Sequence, residues 1–90
     1  MKLYIEYYST NILKCGSGIN TILKETPKTL KCENDVSKEQ FVIKKSELEE
    51  IHNVYNSLRY MTIVDDENEG KAKAKFAFLN YFEEYFSRFS

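Results

Sequence analysis

The chain has 90 residues with one proline and three glycines, and its 13 Lys and Arg against 14 Asp and Glu give a formal net charge of −1. This near balance argues against the dense basic surface of a strong nucleic-acid binder, and the length predicts a single compact domain over residues 1–90. No window holds the ~20 apolar residues that span a bilayer, and Glu6 interrupts the short N-terminal apolar run. We therefore expect a cytoplasmic protein without membrane contact.

Residues 1–44 are predicted to form a β-rich meander. Apolar and polar side chains alternate over residues 3–8, as in a strand with one buried face, and a second short strand is expected over residues 12–15. Gly16-Ser17-Gly18 then predicts a chain reversal. Strands at 19–25 and 28–33 flank Thr26-Pro27, which favours a hairpin turn, and Phe41-Val42-Ile43 predicts a further strand. The sheet is thus expected to hold four or five strands.

A helix is predicted over residues 46–64. Ser46 and Glu49 have the spacing of a capping box, in which each side chain accepts a hydrogen bond from the other residue's backbone N–H. The apolar residues that follow recur at helical spacing: Leu48, Ile51, Val54, Tyr55, Leu58 and Met61.

A second helix is predicted over residues 70–89, after an acidic loop at 65–69. Its apolar residues fall within roughly 160° of the helix surface, and they are Phe78, Leu79, Tyr81, Phe82, Tyr85, Phe86 and Phe89. We expect this stripe to be mainly intramolecular core with Phe82 near its centre; alternatively, part of it docks onto another chain. The predicted fold class is α+β, with a small antiparallel sheet packed by two C-terminal helices.

The residues give no catalytic, cofactor or metal site, and the chain is not expected to be an enzyme. His52 is the only histidine, so it lacks a partner at metal-ligand spacing, and Cys15 and Cys32 do not form a Cys-x-x-Cys pair. In a reducing cytosol both cysteines are expected to be free.

Three groups of residues are candidates for partner binding. Tyr4, Tyr8, Tyr60 and Tyr81 are the aromatic residues expected nearest the surface, and tyrosine is common in protein interfaces. Lys24 and Lys28 lie at the predicted hairpin and suit a nucleotide or a single-stranded nucleic acid. Asp65, Asp66 and Glu67 form an acidic row that could mimic phosphates.

The composition, which is rich in Tyr, Phe, Asn and Lys in one short domain, resembles that of small early proteins of phages and mobile elements, including anti-CRISPR and other anti-defence inhibitors. Lys24-Glu25-Thr26-Pro27-Lys28-Thr29 followed by Ile43-Lys44-Lys45-Ser46-Glu47-Leu48 is also similar to a strand–turn–strand and helix-start pattern in such proteins. This resemblance implies a host protein as partner and no cofactor. It favours a non-enzymatic inhibitor; a nucleotide or nucleic-acid binder and a structural homo-oligomer, for example a homodimer, are the alternatives.

Overall fold

The computed structural model describes residues 1–9, 14–54 and 57–87. The described elements are six strands, a short 3₁₀ turn at Lys45–Glu47 and one C-terminal helix. The strands are β1 (Lys2–Ser9), β2 (Lys14–Glu25), β3 (Thr29–Asn34), β4 (Gln40–Lys44), β5 (Ile51–Val54) and β6 (Ser57–Val64), and the helix is α1 (Glu67–Ser87). The fold is therefore α+β, as predicted.

The six strands form one antiparallel sheet in the order β4-β3-β2-β1-β6-β5. The centre of the sheet is β1, where Tyr4 lies opposite Ile19 of β2 on one side and Thr62 of β6 on the other. Chain neighbours pair as hairpins except for β4 and β5, which lie at opposite edges.

The two faces of the sheet carry two separate hydrophobic clusters. The cluster on the helix face contains Tyr4, Leu58, Tyr60, Val64, Ala74 and Phe78, so it joins β1 and β6 to α1. The cluster on the opposite face contains Leu3, Leu30, Cys32, Ile43 and Met61. Two strands lie between β3 and β6, yet Leu30 and Met61 share this second cluster, so the sheet curls toward it.

Small residues seat α1 on the sheet. The buried positions of the helix are Gly70, Ala74 and Phe78, which recur every four residues along one side. A Cβ added at Gly70 would lie 2.3 Å from Cγ of Tyr4, so the backbone of α1 runs directly against this ring. Glycine is required here because the helix approaches so closely.

The predicted helix at 46–64 is wrong. Residues 45–47 form only the 3₁₀ turn, and the rest of the segment contributes β5 and β6. The predicted cap does not form: Glu49 has a φ of 65° and donates its backbone N–H to the carbonyl oxygen of Met61, at 2.8 Å. The helical spacing of the apolar residues in this segment led to the wrong prediction because β6 is buried on both faces. A strand that is buried on both faces has an apolar pattern that also fits a helix.

The other sequence predictions are correct in part. The hairpin at Thr26-Pro27 is confirmed, since Thr26 N donates to Thr29 O at 2.9 Å, and β1 and β4 lie where strands were predicted. Gly16-Ser17-Gly18 is not a turn but part of β2, and the sheet has six strands instead of four or five. The residues that the structure describes form one long helix instead of two, and it starts at Glu67, inside the predicted acidic loop. Residues 12, 13, 55 and 89, which entered these predictions, lie outside the described residues.

Candidate protein-interaction surface

Two of the tyrosines expected at the surface are instead buried beneath α1. Tyr4 is 0% exposed and donates a hydrogen bond from its hydroxyl to Glu6 Oε1, at 2.6 Å. Tyr60 is 4% exposed and donates to Glu49 Oε2, at 2.7 Å. Burial, aided by these carboxylates, raises the pKa of Tyr60 to about 12 and raises the pKa of Tyr4 as well. The prediction that Tyr4 and Tyr60 lie nearest the surface is wrong; both anchor the helix.

The acidic residues before and within the first turn of α1 stabilise its start. Glu69 N donates to Asp66 Oδ1 at 2.9 Å, and Asp65 N donates to Glu69 Oε2 at 3.2 Å, so two backbone donors are satisfied by side chains. Glu67 is the first helical residue, where a negative charge also interacts favourably with the helix dipole. Asp65, Asp66 and Glu67 are all exposed, and the start of the helix gives Asp66 and Glu67 a structural role.

The side of α1 turned away from the sheet carries large apolar side chains. The exposed fractions are 69% for Phe76, 55% for Leu79, 37% for Phe82 and 65% for Phe86. We call this set the outward face of α1. Tyr85 is also 48% exposed, but at about 100° per residue it lies on the same side of the helix as Ala74 and Phe78. Phe82, expected at the centre of the core, belongs to the outward face, and the core contact of α1 is made by Phe78 at 4% exposure. The helix thus has two apolar sides, of which the sheet covers one.

The outward face exposes roughly 450 Å² of apolar surface. That estimate takes about 200 Å² for each whole large side chain and applies the exposed fractions of the four residues. The largest apolar patch of a typical monomer is about 300–600 Å² and is often functional. The outward face is therefore the strongest candidate for a contact surface in the described part of the chain.

A groove extends the outward face toward the sheet edge. It has a volume of about 360 Å³ and runs between the C-terminal half of α1 and the strands β5 and β6. Its lining comprises Asn53, Leu58, Tyr81, Phe82, Tyr85 and Phe86. Aromatic rings line most of it and Asn53 supplies a polar group, a combination suited to accepting a side chain from another protein.

Tyr8 and Tyr81 lie at the borders of the helix contact. The ring of Tyr8 meets Phe78 edge-on at a centroid distance of 4.6 Å, and the Tyr8 hydroxyl donates to Glu6 Oε2 at 3.1 Å. Tyr81 packs against the helix-face cluster and meets Phe82 edge-on at 5.6 Å. Of the four tyrosines predicted to bind a partner, Tyr81 is the one that borders the groove, so it lies closest to the candidate surface.

The hairpin lysines, Lys24 and Lys28, are not joined by Tyr4 as a stacking ring. Lys24 is opposite Lys31 on paired strands β2 and β3, and Lys28 is exposed in the hairpin. Lys45 instead forms an ion pair with Glu25. Since Tyr4 is buried beneath α1, it does not stack with a base beside Lys24 or Lys28.

The described residues with potential chemistry are dispersed. His52 lies on β5 with its Nε2 atom 3.8 Å from Glu50 Oε2, whereas Cys32 is buried on β3, where burial raises its thiol pKa. Among the described residues, no three His, Cys, Asp or Glu side chains are grouped so that they could hold a metal ion. Over the same residues, no helix is long and apolar enough to cross a membrane.

No protein-family model matches this sequence, and no curated protein and no solved structure matches it. The functional argument therefore depends on the surface itself. Sequence reasoning found the aromatic stripe but assigned it to the core, and it omitted Phe76. The missed signal was the row of small residues at 70 and 74, which marks the true buried side of α1.

Proposed function

We propose that the chain is a non-enzymatic protein-interaction module that binds another protein chain through the outward face of α1. The observation that carries the proposal is the exposure of three aromatic side chains and Leu79 along one side of a helix whose other side already packs on the sheet. Protein interfaces concentrate their binding energy in such aromatic residues, because they bury much area at a small entropy cost. The proposal includes no cofactor, metal or catalytic group.

The more specific form of the proposal is an inhibitor. The compositional resemblance to small phage proteins favours a cytoplasmic protein that covers a functional surface of a host defence or nucleic-acid-processing protein. Two features support a protein over a nucleic acid as the partner. The outward face carries one lysine, Lys75, and one carboxylate, Glu83, so it has no net positive charge, and Tyr4, the ring expected to stack beside the hairpin lysines, is buried beneath α1.

Site-specific photo-crosslinking tests the proposal. A photoreactive phenylalanine at position 76 or 86 in cells that naturally produce the chain is expected to give a covalent adduct with another protein chain. Position 36 is the matched control, because Val36 is apolar and 92% exposed but lies in the turn between β3 and β4. The adduct from position 86 should be lost when Leu79→Glu is added and retained when Val36→Glu is added.

Equal crosslinking from positions 36, 76 and 86 would contradict the proposal, because a specific contact surface must react more than an unrelated exposed position. Retention of the adduct with Leu79→Glu would contradict it as well. Circular dichroism of each variant checks that the fold is intact, which is expected because Leu79 and Val36 are both exposed.

A further inference from the structure

The outward side of α1 is arranged symmetrically about Leu79. Three pairs of positions on this side, each pair at equal distances before and after Leu79, carry complementary side chains, and all six residues are exposed. The pairs are Ala72 with Phe86, Lys75 with Glu83, and Phe76 with Phe82. At about 100° per residue, these positions lie within roughly 60° on either side of Leu79.

Such symmetry has a direct structural meaning for helix pairing. When two identical helices pack antiparallel around a two-fold axis at Leu79, each residue comes to the level of its counterpart on the other side of Leu79. A small Ala72 then meets a large Phe86, and the rings of Phe76 and Phe82 share a level. The spacing of 72, 76, 79, 83 and 86 also alternates between four and three residues, as in a helix-packing seam.

The charges provide the most specific complementarity. Lys75 and Glu83 are the charged residues within this band, and neither makes an ion pair with any residue that the structure describes. They are eight residues apart, or about 12 Å along one helix, which is too far to pair within the same chain. In the antiparallel arrangement Lys75 of each copy lies at the level of Glu83 of the other, which gives two opposite-charge pairs.

We propose that the partner on the outward face is a second copy of the chain, bound with α1 antiparallel around a two-fold axis at Leu79. This inference rests on the general form of the proposed function, an interaction module that uses this face, and it assigns the face to a second copy instead of a host protein. Two copies bring together roughly 900 Å² of large apolar side-chain surface from Phe76, Leu79, Phe82 and Phe86, and Ala72 and the stems of Lys75 and Glu83 add to it. Weak, reversible interfaces bury less than about 1,200 Å². The available area therefore suits a small, reversible dimer interface.

Sedimentation velocity of the purified full chain tests the inference between about 1 μM and about 1 mM. The wild-type chain is expected to change from monomer to dimer over this range. Lys75→Glu and Glu83→Lys should each weaken dimerisation by about tenfold or more, because each places two like-charge pairs in the interface. The double variant with Lys75→Glu and Glu83→Lys should recover to within about threefold of the wild-type dissociation constant.

Leu79→Glu is a further disrupting variant, since it puts two carboxylates at the two-fold axis, and Val36→Glu is its control. The recovery in the double variant is specific to this register, because Lys75 and Glu83 do not interact within one chain. A monomer at every concentration, or two weakened single variants without recovery in the double variant, would overturn the inference.

The result also separates this inference from the proposed function. A purified chain that stays monomeric, combined with a crosslinked adduct to a different protein from positions 76 and 86, overturns the second copy and leaves the interaction module supported. Adducts of twice the mass of the chain, obtained with the purified protein alone, support both.

Discussion

Replacing Gly70 by alanine tests the placement of α1, on which the whole account of its outward face depends. The added Cβ would lie 2.3 Å from Cγ, 2.6 Å from Cδ2 and 2.7 Å from Cβ of Tyr4. Favourable carbon–carbon contacts lie at about 3.5–4.0 Å, so helix and ring must separate by more than about 1 Å. Tyr4 is 0% exposed and has no space to move aside.

The expected free-energy change follows from two opposing effects. Overpacking a buried site costs about 1–3 kcal/mol, whereas exchanging glycine for alanine inside a helix gains up to about 1 kcal/mol. We expect Gly70→Ala to lower the free energy of unfolding by about 1–2 kcal/mol. In a domain of this size each kcal/mol corresponds to about 4–8 °C, so the melting temperature should fall by about 5–15 °C.

Urea denaturation followed by circular dichroism measures this change, and Gly18→Ala is the control. A Cβ at Gly18 has Asn34 Nδ2 as its nearest neighbour, at 3.9 Å, so the strand residue should tolerate alanine without loss. If Gly70→Ala were as stable as the wild-type chain, α1 would not be seated on Tyr4, and the division of the helix into a buried and an outward side would fail.

Three further predictions follow from the same structure. Phe78→Ala should lower the free energy of unfolding by about 3–5 kcal/mol because the Phe78 side chain is buried. Phe86→Ala should change the free energy of unfolding by less than about 0.5 kcal/mol in dilute solution, and equal losses for the two variants in denaturation experiments would contradict the assignment. Because the pKa of Tyr60 is raised to about 12, its contribution to stability is present below pH 10 and is lost as the pH rises toward 12. Tyr60→Phe should reduce this alkaline loss of stability in melting curves, and an unchanged pH dependence would contradict the prediction. In a Cys15→Ser variant, buried Cys32 with its raised thiol pKa should react with a thiol reagent only on unfolding, and rapid reaction of the native protein would contradict its burial.

Several strands of the sheet could be predicted because their sequences carry local signals. The alternation over residues 3–8 predicts β1, and Pro27 marks the hairpin between β2 and β3. The strand β6 could not be assigned from periodicity, since both of its faces are buried, and its apolar residues also fit a helical stripe. The run Tyr60-Met61-Thr62-Ile63-Val64, rich in strand-forming residues, was the better signal.

The helix shows a different limit of sequence reasoning. Its aromatic residues were found, but hydrophobicity alone does not distinguish a side that packs on the sheet from one that faces outward. The buried side is defined by Gly70 and Ala74, because small residues allow the backbone to approach Tyr4, and only the tertiary structure reveals this contact. The aromatic residues therefore marked the candidate surface more than the core.

Hydroxyl-radical footprinting most directly tests the central claim that α1 has one side for the core and one for a second protein chain. In dilute purified protein, we expect Phe76 and Phe86 to be oxidised rapidly and buried Phe78 to be protected. Inside the cells that naturally produce the chain, Phe76 and Phe86 should become protected while exposed Val36 stays reactive. Oxidation of Phe76 and Phe86 at the same rate in cells as in dilute solution would contradict the account, because the outward face would then have no partner.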